Sequence, residues 1–400
     1  MRATFQGSHV EQELSRNLGE GAGVMICRYA LTPKSQAEPS YSSKGRLLHR
    51  LNPRHLELPV NTYPVVELLG DGISSELSES VHSIASALPF DLDFQPIDLS
   101  DGNRRKQGPK AFDKAVNACL DVGTALKYPT ATTEESPNRV LRSRLEFSVI
   151  HRPVCTLPGI QTNFTKTIDI DVIRIATGGT YEDPGRRIGP DTAVSLRVIE
   201  RHPAMHAGRF AFKLAQLRGT TVCSTSKYTI QQATDGLFEE VVGRIAEDYP
   251  ATPYRRELFD ALLAGIIMNP ERYGVIVCPN EYGDFLSDSA CGLIGSVGLG
   301  DSASYSFDPQ GQVITAMFDP SGGTAPDIAG KNLANPTAAL LALANMLRHL
   351  GEPSACEALR AAILDSIADG AKTRDIGGTL NTNEFTAEVA RRTQEKLAKS

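Results

Sequence analysis

The sequence predicts an α/β protein on three observations: short apolar runs rich in β-branched residues, glycine or proline turns at their ends, and helix-period stretches close behind. Pro64-Val-Val-Glu-Leu-Leu-Gly70-Asp71-Gly72 reads as a strand running into a glycine turn. Leu77, Val81, Ile84, Ala85 and Leu88 follow at helical spacing. Val275, Ile276 and Val277 form another buried run that stops at Pro279, where a polar turn containing Gly283 is expected. A chain of 400 residues can bury one large core or two.

Residues 1–60 are polar, rich in Ser, Arg, Glu and Pro, and without a sustained period, so a loosely ordered extension is expected. Met1-Arg2-Ala3-Thr4-Phe5 could head a targeting peptide, but Glu11, Glu13 and Glu20 argue against it, because transit peptides are poor in acids. Beyond the first unit, a buried stretch from Asn117 to Leu126 leads into Lys127-Tyr-Pro-Thr130-Ala-Thr132. Ser136-Pro-Asn138-Arg-Val-Leu-Arg142 and Arg152-Pro153 come next. These arginines read equally well as helix surface or as guanidinium forks that grip carboxylates two bonds at a time.

Residues 166–174 alternate like a strand ending at Arg174. Residues 193–218 carry helical apolar spacing ahead of a strand at Thr220–Ser224. Lys227 follows, and a lone Lys is ordinarily a solvated surface residue. The stretch from Phe259 to Asn269 reads as an apolar helix that bears Asp260 and stops before Pro270.

Asp284 and Asp288 are four residues apart, on a helix suggested by Phe285, Leu286, Leu293 and Ile294, so both carboxylates share one face. They make either a solvated acidic face or a pair of hard oxygen ligands. Such a pair of hard oxygen ligands suits Mg²⁺ or Mn²⁺ better than zinc. Gly322-Gly323-Thr324 opens a glycine turn whose N–H groups can approach a phosphate, and Asp327 nearby can accept ribose hydroxyls. An apolar helix from Thr337 to Leu350 closes on Gly351.

Net charge is −6 with both signs mixed along the chain, which argues against a nucleic-acid or membrane-surface partner. No apolar run is long enough to cross a bilayer. The cysteines (Cys27, Cys119, Cys155, Cys223, Cys278, Cys291, Cys356) are odd in number and scattered, a pattern of free thiols in a reducing compartment. The expected location is cytoplasmic, or the mitochondrial matrix in a eukaryote.

Asn280-Glu-Tyr-Gly-Asp284 with Ser287-Asp288 resembles the metal-binding segment of the β-decarboxylating dehydrogenases, the isocitrate and 3-isopropylmalate dehydrogenase family. Further segments fall in that family's order over roughly residues 60–350. The resemblance implies an isocitrate dehydrogenase-like fold. Its large nucleotide-binding domain would use residues 61–147 and 296–400, and its small domain 148–295, with a dimer clasp at about 179–199.

The resemblance further implies that Arg142, Arg152 and Arg174 hold substrate carboxylates, and that Ser136 and Asn138 reach the extra carboxylate of isocitrate. Asp260, Asp284 and Asp288 would bind Mg²⁺ or Mn²⁺, with Asp260 reaching across the axis of a homodimer together with Lys227. Lys227 would act as base and Tyr181 as the acid that protonates the enol. Thr132, Gly323, Thr324, Asp327, Ile328 and Asn335 would seat the cofactor, and Asp327 with Ile328 favours NAD over NADP.

Departures cluster on the cofactor side. Ile175-Ala-Thr-Gly-Gly-Thr180 replaces an acidic and amide run, Ser226 and Thr229 replace His and Asn, and Gly322 replaces His. The expected function is oxidative decarboxylation of isocitrate or a close tricarboxylate analogue with NAD. A catalytically weak regulatory subunit, or a 3-isopropylmalate or other alkylmalate dehydrogenase, stands as the alternative.

Overall fold

The computed structural model describes residues 61–133 and 135–399, so the expectation for residues 1–60 lies outside the described residues. In chain order the strands are β1 (Thr62–Leu69), β2 (Asp91–Asp98), β3 (Thr124–Lys127), β4 (Val149–Cys155), β5 (Asp169–Ile175), β6 (Arg186–Ile188), β7 (Thr192–Val194), β8 (Val222–Ser226), β9 (Tyr254–Leu258), β10 (Val275–Cys278), β11 (Asp301–Phe307) and β12 (Val313–Pro320). The helices are α1 (Ser74–Ala85), α2 (Asp101–Gln107), α3 (Pro109–Val122), α4 (Pro137–Arg144), α5 (Arg201–Arg218), α6 (Thr234–Glu247), α7 (Phe259–Met268), α8 (Asn280–Leu293), α9 (Thr337–His349), α10 (Pro353–Ala368) and α11 (Thr382–Leu397).

Ten strands form one sheet in the order β2-β1-β3-β12-β11-β4-β5-β10-β8-β9. The first four are parallel to one another, and so are the last four. β11 and β4 join the two groups through three antiparallel pairings. This topology positions the chemistry. The carboxyl ends of β5, β10, β8 and β9 lie along one edge, so Arg174, the start of α8, Lys227 and Asp260 are delivered there in that order. Open α/β sheets place ligands at such an edge.

β5 is buried along nearly its whole length instead of alternating, because it lies between two neighbours with helices packed over it. The helical stretch expected over residues 193–218 begins only at Arg201. Ahead of it, β6 and β7 form a separate, fully exposed two-stranded sheet. Its base is closed where Gly179 and Val198 exchange N–H···O bonds of 2.7 and 3.1 Å. The polar turn expected after Pro279 is the first turn of α8, and Gly283 lies inside that helix. Phe285, expected on its apolar face, is 55% exposed. No helix among the described residues is long and apolar enough to cross a membrane.

Candidate active site

Arg174 is the penultimate residue of β5, with a side chain only 1% exposed. Its Nε donates to Asn280 Oδ1 at 2.8 Å, and its Nη1 is ion-paired with Asp284. α8 can lie this close because residue 283 is glycine, where a Cβ would come within 2.6 Å of the Arg174 side chain. Arg152, from β4, donates to Ser287 Oγ at 2.7 Å and to Asp288 Oδ1 at 3.0 Å, with Asp284 Oδ1 at 3.4 Å. The helical spacing of Asp284 and Asp288 thus presents both carboxylates to one guanidinium. Tyr181 donates its hydroxyl to Asp284 Oδ2 at 3.1 Å, with Arg174 5.9 Å from its ring centre.

Across the gap stands α4, capped by Ser136, whose Oγ accepts the Arg139 N–H at 3.4 Å. α4 carries Asn138 and Arg142. Together these elements enclose a cleft of about 1330 Å³ lined by Ser136, Asn138, Arg142, Arg152, Arg174, Tyr181 and Asp284. Asn138 Oδ1, Arg142 Nε and Arg152 Nε are buried with no hydrogen-bond partner among the described residues. Buried polar atoms left unpaired cost free energy, so a ligand with complementary groups gains by entering.

The charges agree. Burial pushes the Arg174 guanidinium down to about 9, and the neighbouring Arg142 and Arg152 charges push the same way. Burial likewise lowers Arg142, partly offset by Asp319. Burial alone would raise Asp284, yet Arg174 and Arg152 hold its carboxyl below the usual range. Arg142, Arg152 and Arg174 line one cleft, three guanidinium groups suited to an anion with several carboxylates. Burial first, then Asp284, raises the Tyr181 phenol, so it keeps its proton at neutral pH.

Lys227 and Asp260 do not reach this cleft within one chain. They pair with each other, Nζ to Oδ1 at 2.9 Å, and Asp260 is largely exposed. The Lys227 ammonium holds the Asp260 carboxyl below its usual range. Their strands β8 and β9 lie beyond β10 on the same edge, which accounts for the separation. Among the described residues, no three His, Cys, Asp or Glu side chains of one chain converge on a point that could hold a metal ion. One chain assembles two of the expected aspartates, an all-oxygen pair fitting a hard divalent cation, and leaves the third apart.

The cofactor loop is braced by the turn at Gly70-Asp71-Gly72. A Cβ at Gly72, whose φ is +61°, would lie 1.8 Å from Thr324 O, so only glycine allows the approach; Ile73 N–H donates to the same oxygen at 3.0 Å. Glu76 accepts the N–H groups of Gly330 at 3.0 Å and Asn332 at 2.7 Å. Asp71 accepts the Ala131 N–H at 2.8 Å, fixing the segment that carries the exposed Thr132. Gly322 and Gly323 have no atom within 4 Å of a built Cβ, which leaves their backbone open to a phosphate. Asp327 is exposed beside them, and Ile328 is half-buried. Asn335 spends its amide within the protein, donating to Asp375 at 2.9 Å and accepting the Thr337 N–H at 3.0 Å.

The sequence reading assigns no role to three residues that the fold sets among these charges, Lys127, Asn280 and Asp319. Lys127 is 2% exposed, and the pairing of Phe318 with Leu126 sets Asp319 beside it. Burial pushes Lys127 down to about 8 against the pull of Asp319. Asn280, which orients Arg174, could have been suspected from its place directly after a strand end. Asp319 could not, because only the long-range register of β12 on β3 brings it there.

Comparison with known proteins gives a consistent picture. Residues 62–389 match the family model described as isocitrate/isopropylmalate dehydrogenase. Over 378 residues the chain is 34% identical to the mitochondrial isocitrate dehydrogenase [NAD] subunit 2 of Kluyveromyces lactis, covering 92% of this chain and 97% of the relative. Over 329 residues it is 33% identical to the 3-isopropylmalate dehydrogenase of Methanothermobacter thermautotrophicus, covering 82% and 97%. Among solved structures, isocitrate dehydrogenase from Methylococcus capsulatus superposes with a TM-score of 0.77 at 29% identity, covering 83% of this chain and 99% of that one.

Proposed function

Because the chain belongs to the isocitrate/isopropylmalate dehydrogenase family of metal-dependent oxidoreductases, we propose that it oxidises and decarboxylates isocitrate, or a close tricarboxylate analogue, with NAD. The observation that carries this reading is the cleft wall formed by α4. Ser136 and Asn138 line it, and the Ser136 hydroxyl and the Asn138 amide N–H groups can donate to a carboxylate that isocitrate carries and an alkylmalate lacks. An alkylmalate would set an alkyl group against the Ser136 and Asn138 donors and leave them without a partner, a cost of about 1–3 kcal/mol for each buried group. The relatives divide between the two substrates, so this wall is the discriminating feature.

Arg142, Arg152 and Arg174 would orient the acid through its carboxylates. Asp284 and Asp288, with Asp260 from a second copy, would hold Mg²⁺ or Mn²⁺, and the Gly323-Thr324 loop with Asp327 and Ile328 would hold NAD. When bound there, a divalent cation would supply Lewis-acid polarisation of the substrate hydroxyl, and NAD would supply the hydride acceptor. Lys227, also from the second copy, removes the hydroxyl proton. Tyr181, protonated at neutral pH, returns a proton to carbon after loss of the carboxylate.

A homodimer is what the separation of Lys227 and Asp260 from the cleft calls for. The exposed β6–β7 hairpin, too small to be stable alone, exposes Ile188 at 54%, with Leu196 just beyond it at 65%. We infer two domains divided near residues 147 and 295. One holds the β5-β10-β8-β9 group with β4, and the other holds β2-β1-β3-β12 with β11.

The substrate assignment is tested on α4. Asn138→Ala should raise KM for isocitrate about tenfold or more, by removing a hydrogen bond to a charged group, and should leave the weaker turnover of 3-isopropylmalate unchanged or improved. Equal losses on both acids would sink the assignment.

A further inference from the structure

We infer that Asp235 is a positioning residue for Lys227, fixing the backbone of the lysine and the helix that carries Asp284 to a single buried carboxylate. This inference rests on the role proposed above for Lys227.

Asp235 sits in the first turn of α6 and is 0% exposed. Its Oδ2 accepts the Lys227 backbone N–H at 2.8 Å and the Tyr282 hydroxyl at 3.3 Å. Its Oδ1 accepts Arg197 Nε at 2.9 Å, with Nη2 at 2.7 Å. Arg197 is itself ion-paired with Glu281 and lies 4.8 Å from the Tyr282 ring centre. Glu281 and Tyr282 belong to the first turn of α8, two to three residues ahead of Asp284. One carboxylate therefore ties the end of β8 to the start of α8.

The tie is reinforced one turn along α6. Glu239, 3% exposed, accepts Ser224 Oγ at 2.6 Å and Ser226 Oγ at 2.5 Å. Residues 235 and 239 are four apart and face the same strand, so two buried acids hold the last residues of β8 up to Lys227. A buried ion pair is a poor device for stability alone, since desolvation offsets most of the attraction. Here every hydrogen bond to the Asp235 carboxylate comes from the backbone of one lysine, from the helix that presents Asp284, or from the arginine joining them. Displacing a reacting group by about 1 Å can cost on the order of a hundredfold in rate, which gives such a clamp its value.

The test is a double-mutant cycle in the full-length protein, read as kcat and KM for isocitrate with Mg²⁺ and NAD. If Asp235 acts through Lys227, Asp235→Asn lowers kcat by about tenfold to a hundredfold and leaves KM within about twofold. Added to Lys227→Ala, it then causes no further loss, because the two residues act as a unit. Losses that multiply in the double variant, or a change confined to KM, overturn the inference. Should Asp235→Asn fail to fold, Tyr282→Phe keeps the ion pair and removes one bond to the same carboxylate. A fall in its kcat that is absent on the Lys227→Ala background supports the clamp, and wild-type kcat overturns it. If Lys227→Ala alone keeps full activity, the assigned base is wrong. The functional reading then fails at that residue, an outcome distinct from losses at positions 235 and 227 that merely multiply.

Discussion

Lys227→Ala should lower kcat by about 10³-fold, within the range of a lost general base, while KM for the hydroxy acid and the melting temperature change little. The side chain is about one-third exposed and its ammonium pairs with the exposed Asp260, so no packed core depends on it. The backbone N–H held by Asp235 survives the substitution. Steady-state kinetics beside a thermal melt separate the two effects. A fall in melting temperature matching the loss of activity would assign Lys227 a structural role.

Arg142→Lys should lower kcat/KM by about 10²- to 10³-fold, the cost of breaking a desolvated, hydrogen-bonded charge pair with a ligand. Arg142 Nε has no partner among the described residues, so the guanidinium is held ready for something outside the chain. Lysine keeps the charge but loses the fork that binds a carboxylate through two parallel bonds. Because Arg142 Nε bonds no group among the described residues and lysine keeps the positive charge beside Asp319, the substitution should leave stability nearly unchanged. Isothermal titration with isocitrate and Mg²⁺ would show a matching loss of affinity. Unchanged affinity would place the substrate elsewhere in the cleft.

How much of this was legible in the sequence depends on the range of the interaction involved. Asp284 and Asp288 could be paired from their spacing, because a helix fixes residues four apart on one face. Arg174 at a strand end and Asp260 on an apolar helix were likewise local readings, and the helix was found at Phe259–Met268. What brought Arg142, Arg152, Arg174, Tyr181 and Asp284 into one cleft was a chain of long-range pairings, of β4 on β5 and β5 on β10, that no periodicity reveals.

β4 itself carries His151, Arg152 and Pro153, a run with little strand character, and becomes a strand because two neighbours flank it. Asp235 shows the opposite failure. In sequence it is an ordinary acid at a helix start, as expected of a solvated first turn. Only the fold shows that it is fully buried and which backbone it holds. The glycine turn at residues 70–72 is legible as a turn, whereas the close approach of Thr324 that it permits comes only from the fold.

The most direct test is to supply the purified protein with Mg²⁺ or Mn²⁺ and NAD, offer isocitrate and 3-isopropylmalate separately, and measure reduced nicotinamide together with released carbon dioxide. Isocitrate should yield both products in equal amounts, with NAD preferred over NADP and much weaker turnover of 3-isopropylmalate. Turnover of 3-isopropylmalate alone would contradict an isocitrate-oxidising enzyme. So would metal-dependent binding of isocitrate without turnover, which would instead describe a regulatory subunit.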